Sequence, residues 1–127
     1  CPDEHPSGGS SMIGTAHDVM RLVEAIRTNR VPTIGENIMR QMSVNQLPEG
    51  IVTDPGTGFG LGWAVTLNPA EANVPYSAGA LSWGGVYGHK WFADPQKRLS
   101  VVILTTTAME EALTTGVTQA LYANLPG

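Results

Sequence analysis

The sequence has one cysteine in 127 residues, so it has no internal disulfide and gives no support to an oxidising compartment. Charged residues make up only 14%, and the seven Lys and Arg are scattered without forming a basic stripe, which excludes nucleic acid as an expected partner. No apolar run approaches the ~20 residues that a membrane span requires, so no membrane partner is expected. The polar start Cys1-Pro2-Asp3-Glu4-His5 does not read as a secretory signal, which leans the expected location towards the cytoplasm. The sequence opens without Met, in what reads as mid-loop, and residues 1–127 are therefore expected to be a C-terminal fragment or subunit of one larger domain.

What is present is a globular composition, with 42% hydrophobic residues and a formal net charge of −4. Fifteen Gly and nine Pro fall mostly at boundaries. Thr15 followed by Asp18 suggests a helix N-cap, a relative of the capping box. Val19, Leu22, Val23 and Ile26 then recur at helical spacing and predict a helix to about Asn29. A second helix is predicted from about Gly35 to Ser43, with Ile38, Met39 and Met42 inward, and then a loop from Asn45 to Gly58. Phe59 to Leu67 alternates large and small residues, as in a strand whose Gly face lies against another backbone. After a loop from Asn68 to Ala78, strands are predicted at Ala80–Val86, Gly88–Ala93 and Leu99–Thr106. Asp94-Pro95-Gln96-Lys97 is the turn between the last two. A final helix is expected from Met109 to Ala123, with Leu113, Val117, Ala120 and Leu121 on its inner side. The fold class is α+β, with an antiparallel meander and flanking helices.

A nucleophilic hydrolase needs an attacking atom, a base and donors for the developing oxyanion. No Ser-x-x-Lys exists: the residues three after Ser43, Ser82 and Ser100 are Gln46, Gly85 and Ile103. Ala80-Leu81-Ser82-Trp83-Gly84 is the nearest approach to a nucleophile elbow, but no helix follows it. His5, His17 and His89 lack metal-ligand spacing: His5 falls in a loop, His17 reads as a surface or capping residue, and His89 as a structural one in a strand. Asp94 reads as a turn residue, and Tyr122-Ala123-Asn124 as a chance match to a Tyr-x-Asn pattern. Zinc, phosphate-loop and dinucleotide fingerprints are absent, so neither a metal nor a cofactor is expected. That leaves Gly84-Gly85 within a predicted strand, where each glycine costs backbone entropy and packs no side chain. Two readings stay open on the residues alone. Either a ligand lies flat along the strand with the Val86 N–H as oxyanion donor, or the pair marks a bulge or tight turn.

Ser82 to Pro95 resembles the third active-site motif of the family VIII carboxylesterases, which look like class C β-lactamases among the penicillin-recognising serine hydrolases. In these esterases a Trp-Gly-Gly stands where the β-lactamases have Lys-Thr-Gly. Ser7 to Asp18 resembles that group's Gly-rich approach to a helix, Gly58 to Trp63 its Gly/aromatic strand, and Leu99 to Thr106 the strand before its last helix. The ordered set covers essentially the whole chain. It implies a β-lactamase-like fold and a carboxylesterase. Trp83, Gly84 and Gly85 would line the cleft, with Val86 as backbone donor and Trp83, Tyr87 and Tyr76 as substrate contacts. The Ser-x-x-Lys helix and the catalytic Tyr would come from an N-terminal segment or companion chain, so this chain alone is expected to be inactive. Trp83 in place of Lys implies neutral short-chain or aryl esters as substrates. Two competing expectations are a penicillin-recognising fold that only binds, and an N-terminal nucleophile hydrolase using Cys1. Unpaired strand edges add a companion chain or homo-oligomer to the expected partners.

Overall fold

The computed structural model describes residues 13–108 and 111–126. Helix α1 (Ala16–Arg27) begins with a complete capping box. The Thr15 hydroxyl accepts from the Asp18 N–H at 3.2 Å, and the Asp18 carboxylate accepts from the Thr15 N–H at 2.9 Å. The helix ends in a Schellman motif. Asn29 takes φ 56, the Arg30 N–H returns to the Ala25 carbonyl at 2.8 Å, and the Asn29 N–H to Ile26 at 3.0 Å. Val23 and Ile26 are buried as predicted, but Leu22 is 52% exposed, so the inward stripe is narrower than its apolar residues suggest.

Helix α2 (Glu36–Met42) buries Met39 and partly buries Met42, whereas Ile38 points outward. The single strand predicted from Phe59 to Leu67 is instead a hairpin of β1 (Thr57–Phe59) and β2 (Ala64–Thr66). Gly62, at φ 108, lies in the tight connection, where the Gly60 N–H meets the Trp63 carbonyl at 2.8 Å. The expected approach to another backbone holds at Gly60 and not at Gly62. A Cβ on Gly60 would lie 2.0 Å from the Met42 carbonyl oxygen, and one on Gly58 would lie 2.6 Å from the Asn45 side-chain oxygen. Both positions accommodate the chain leaving α2, and the Trp63 indole N–H donates to the same Met42 carbonyl at 3.0 Å.

A short helix, α3 (Pro69–Ala72), interrupts the loop expected at 68–78. It is followed by β3 (Leu81–Gly84), β4 (Lys90–Asp94) and β5 (Leu99–Ile103), each shorter than or offset from its predicted range. The described strands form one antiparallel sheet in the order β1-β2-β3-β4-β5. Helix α4 (Glu111–Ala123) closes the described fold.

The sheet separates two apolar layers. Ile26 of α1 and Met39 of α2 pack with Trp63, Val65 and Leu81 on one face. Leu121 and Tyr122 of α4 pack with Tyr76, Ala80, Phe92 and Val101 on the other. Helix α4 is rotated relative to the prediction: Thr114 and Thr118 are buried, while Leu113 and Ala120 are exposed. Each buried threonine bonds its hydroxyl back to the helix, Thr118 to the Thr114 carbonyl at 2.6 Å and Thr114 to the Glu111 carbonyl at 3.1 Å. A strut unforeseen from the sequence joins α1 to β5, where the Ser100 hydroxyl donates to Glu24 at 2.7 Å. The Arg27 guanidinium also binds Glu24 and, with Ser100, holds that carboxyl down to about 2.

Candidate active site

The β3–β4 connection decides where Val86 lies. The ladder ends at the pair Gly84↔Lys90, so Val86 lies beyond the strand expected at 80–86. The Gly85 N–H donates to the His89 carbonyl at 2.9 Å, and the Gly88 N–H closes a turn onto the Gly85 carbonyl at 3.0 Å. Val86 and Tyr87 keep negative φ while Gly88 takes φ 76, so the connection is a type I turn followed by a left-handed glycine bulge. In such a turn the N–H of the second residue is not used. The Val86 N–H accordingly has no acceptor among the described residues, and the residue is 65% exposed at the tip.

The two adjacent glycines have different environments. A Cβ on Gly84 would stand 2.6 Å from the His89 carbonyl oxygen, so close approach of β4 requires a glycine there. A Cβ on Gly85 would meet only the His89 side chain, Cδ2 at an ordinary 3.5 Å and Cβ at 3.8 Å. Of the two readings, the tight turn with its bulge is present, with the left-handed residue at Gly88.

A cleft of about 280 Å³ lies between this hairpin and the first turns of α4, lined among others by Ser82, Val86, Lys90, Glu111 and Thr115. By register, Ser82, Gly84 and Lys90 share the sheet face that α4 covers, and Trp83 pairs with Trp91 on the other. The Trp83 indole is 49% exposed and meets the Phe59 ring edge-on, with centroids 5.0 Å apart. Trp83, Gly84, Gly85, Val86 and Tyr87 thus occupy one strand and its turn.

Tyr76 does not join them. It is buried at 4% exposure, stacked on Phe92 at 4.7 Å, with its hydroxyl unpartnered among the described residues. Its place in the second core layer corrects the expectation of a substrate contact. Asp94 does serve the turn, accepting from the Lys97 N–H at 3.1 Å, but it also accepts from the Tyr122 hydroxyl at 2.7 Å. The Tyr-x-Asn match thus contributes a core hydrogen bond.

No hydrogen bond links Ser82 to a base among the described residues. The His89 Nδ1 already accepts from the Thr105 N–H at 3.2 Å, and the Lys90 Nζ sits 5.6 Å above the Tyr76 ring. His17 is exposed in the first turn of α1, and Cys1 and His5 lie outside the described residues. Thr105, whose hydroxyl also donates to the Tyr87 carbonyl, was not singled out from the sequence. Its partners are 16 and 18 residues away in the chain, and no local pattern marks such contacts.

A profile of the beta-lactamase family matches residues 2–123. Esterase EstB of Burkholderia gladioli is 45% identical over 126 residues, covering 96% of this chain and 32% of that protein. Protein Rv1367c of Mycobacterium tuberculosis is 28% identical over 118 residues, covering 81% of this chain and 29% of its own length. The solved structure of EstCE1, described as a hydrolase with promiscuous acyltransferase activity, superposes with a TM-score of 0.85 at 38% identity, over 96% of this chain and 33% of that one. The chain therefore spans about a third of the length of the relatives it matches.

Proposed function

Because this chain belongs to the beta-lactamase family, we propose that it is the oxyanion-binding part of a serine acyl hydrolase acting on neutral short-chain or aryl esters. The observation that carries this reading is the Val86 N–H, uncommitted at an exposed turn that follows Trp83-Gly84-Gly85. The names of EstB and EstCE1 support the reaction class. A serine on a companion segment gives its hydroxyl proton to the companion Lys–Tyr pair as its oxygen attacks the ester carbonyl carbon, and the carbonyl π pair moves onto oxygen. The Val86 N–H and the serine's own N–H donate to that oxyanion. Collapse expels the alcohol, which takes a proton from the companion Lys–Tyr pair, and water then releases the acid by the same route. Trp83 offers an apolar face and one N–H where a lysine would bind a carboxylate, which favours uncharged acyl groups.

Val86→Pro tests this, because proline suits the second position of a type I turn and removes the N–H while replacing an exposed side chain by another apolar one. In the intact protein it should lower kcat for p-nitrophenyl butyrate by ~10²–10³-fold, equivalent to ~2.7–4 kcal/mol, with the melting temperature nearly unchanged. An unchanged kcat would reject Val86 as the donor. An intact protein giving neither a burst nor fluorophosphonate labelling would reject the hydrolase and favour a fold that only binds.

A further inference from the structure

We infer that Thr105 and His89 are positioning residues that clamp the Gly85–Gly88 turn and hold the Val86 N–H in place for the oxyanion; this rests on the reading of Val86 given above. The turn projects past the last ladder pair, Gly84↔Lys90, so the sheet does not hold it. Its freest joint is Gly88, whose φ of 76 lies where glycine alone moves without cost. Thr105 spans that joint. Its hydroxyl donates to the Tyr87 carbonyl on one side, and its main-chain N–H donates to the His89 Nδ1 at 3.2 Å on the other. The His89 carbonyl completes the loop by accepting from the Gly85 N–H at 2.9 Å.

Thr105 lies just beyond β5, so the clamp ties the tip of one hairpin to the exit of the neighbouring strand. An oxyanion donor acts through preorganisation, and a displacement of about 1 Å can cost ~10²-fold in rate. A donor on an exposed turn therefore needs bracing that the sheet does not supply. Thr105 is not among the residues lining the cleft, whereas His89 lines it beside Gly88 and acts on Val86 through the Thr105 N–H.

The test compares Thr105→Val, Thr105→Ser and His89→Phe in the intact protein, using p-nitrophenyl butyrate kinetics, thermal melting and amide hydrogen exchange over residues 85–88. Thr105→Val loses only the hydroxyl donor, and His89→Phe only the imidazole acceptor. Each should lower kcat by ~10-fold, part of what the donor itself provides, with KM within about twofold. Thr105→Ser should restore most of the loss, and exchange at 85–88 should quicken in the first and third variants alone. An unchanged kcat in Thr105→Val and His89→Phe overturns the clamp, as does a loss that follows the melting temperature and is not restored by serine. If the wild-type protein turns over no ester, the hydrolase reading fails by itself. The clamp is then decided by exchange, and rates that are equal across the variants overturn it.

Discussion

At the residue scale, Asp94 shows how a buried carboxylate is tolerated. It is fully buried, and burial alone would push its carboxyl up. The Tyr122 hydroxyl at 2.7 Å, the Ser77 N–H at 2.8 Å and the Lys97 N–H at 3.1 Å outweigh that and hold it below the ordinary 3.8. Burial first, and then Asp94 itself, push the Tyr122 phenol upward, so it stays a donor. A carboxyl depressed in the folded state stabilises fully above its unfolded value, and the contribution is lost as pH falls through the folded one. Tyr122→Phe should therefore cost ~1–3 kcal/mol at pH 7, the range for a hydrogen bond to a charged, buried partner. The difference should shrink below about pH 3.8 as Asp94 protonates. Urea denaturation at pH 7 and stepwise below pH 3.8 follows both, and a penalty that stays constant as Asp94 protonates would contradict the assignment. The turn half of this role was legible from Asp94-Pro95. The core half was not, because Tyr122 lies 28 residues away and only tertiary packing brings it near.

At the element scale, the sequence identified most elements but not their exact extents or faces. Thr15 and Asp18 marked the start of α1 because capping is local chemistry. Of the glycines between Phe59 and Leu67, expected to lie against another backbone, Gly60 does so at the Met42 carbonyl and Gly62 meets nothing within 4 Å, and alternation alone does not separate a continuous strand from a hairpin. The inner face of α4 was misjudged because back-bonded threonines can pack where leucines were expected. Adjacent glycines likewise read as one feature, although Gly84 meets the His89 carbonyl and Gly85 does not. That difference predicts opposite outcomes for the same substitution. Gly84→Ala forces backbone apart at a 2.6 Å approach and should cost ~1–3 kcal/mol, lowering the melting temperature. Gly85→Ala should leave melting almost unchanged while reducing ester turnover, since its methyl would occupy the strand edge beside Val86. Equal melting temperatures for the two variants would contradict the division of roles.

At the scale of the whole molecule, two apolar layers lie on either side of one sheet, and the turn that carries Val86 follows the end of β3. The outer edge of β5 has no strand partner among the described residues, whereas β1 is bonded on its outer side, the Phe59 N–H to Asn45 at 3.0 Å and the Phe59 carbonyl to the Gln46 N–H at 2.8 Å. Leu22, Ile38, Val44 and Leu61 add exposed apolar area near the α1–α2 layer. An open edge and uncovered apolar side chains favour association with other chain segments. The proposed chemistry makes the same demand, since the described residues supply a donor but no paired nucleophile and base. Residues 1–127 expressed alone should therefore show no fluorophosphonate labelling and no p-nitrophenyl butyrate burst, and should elute from a sizing column above the monomer position. Supplying a segment that carries Ser-x-x-Lys and the catalytic Tyr should restore both activities together, and Val86→Pro in this chain should block that recovery. Labelling of the isolated chain would place the nucleophile among these residues, with Ser82 the first to replace, and would remove the need for a companion.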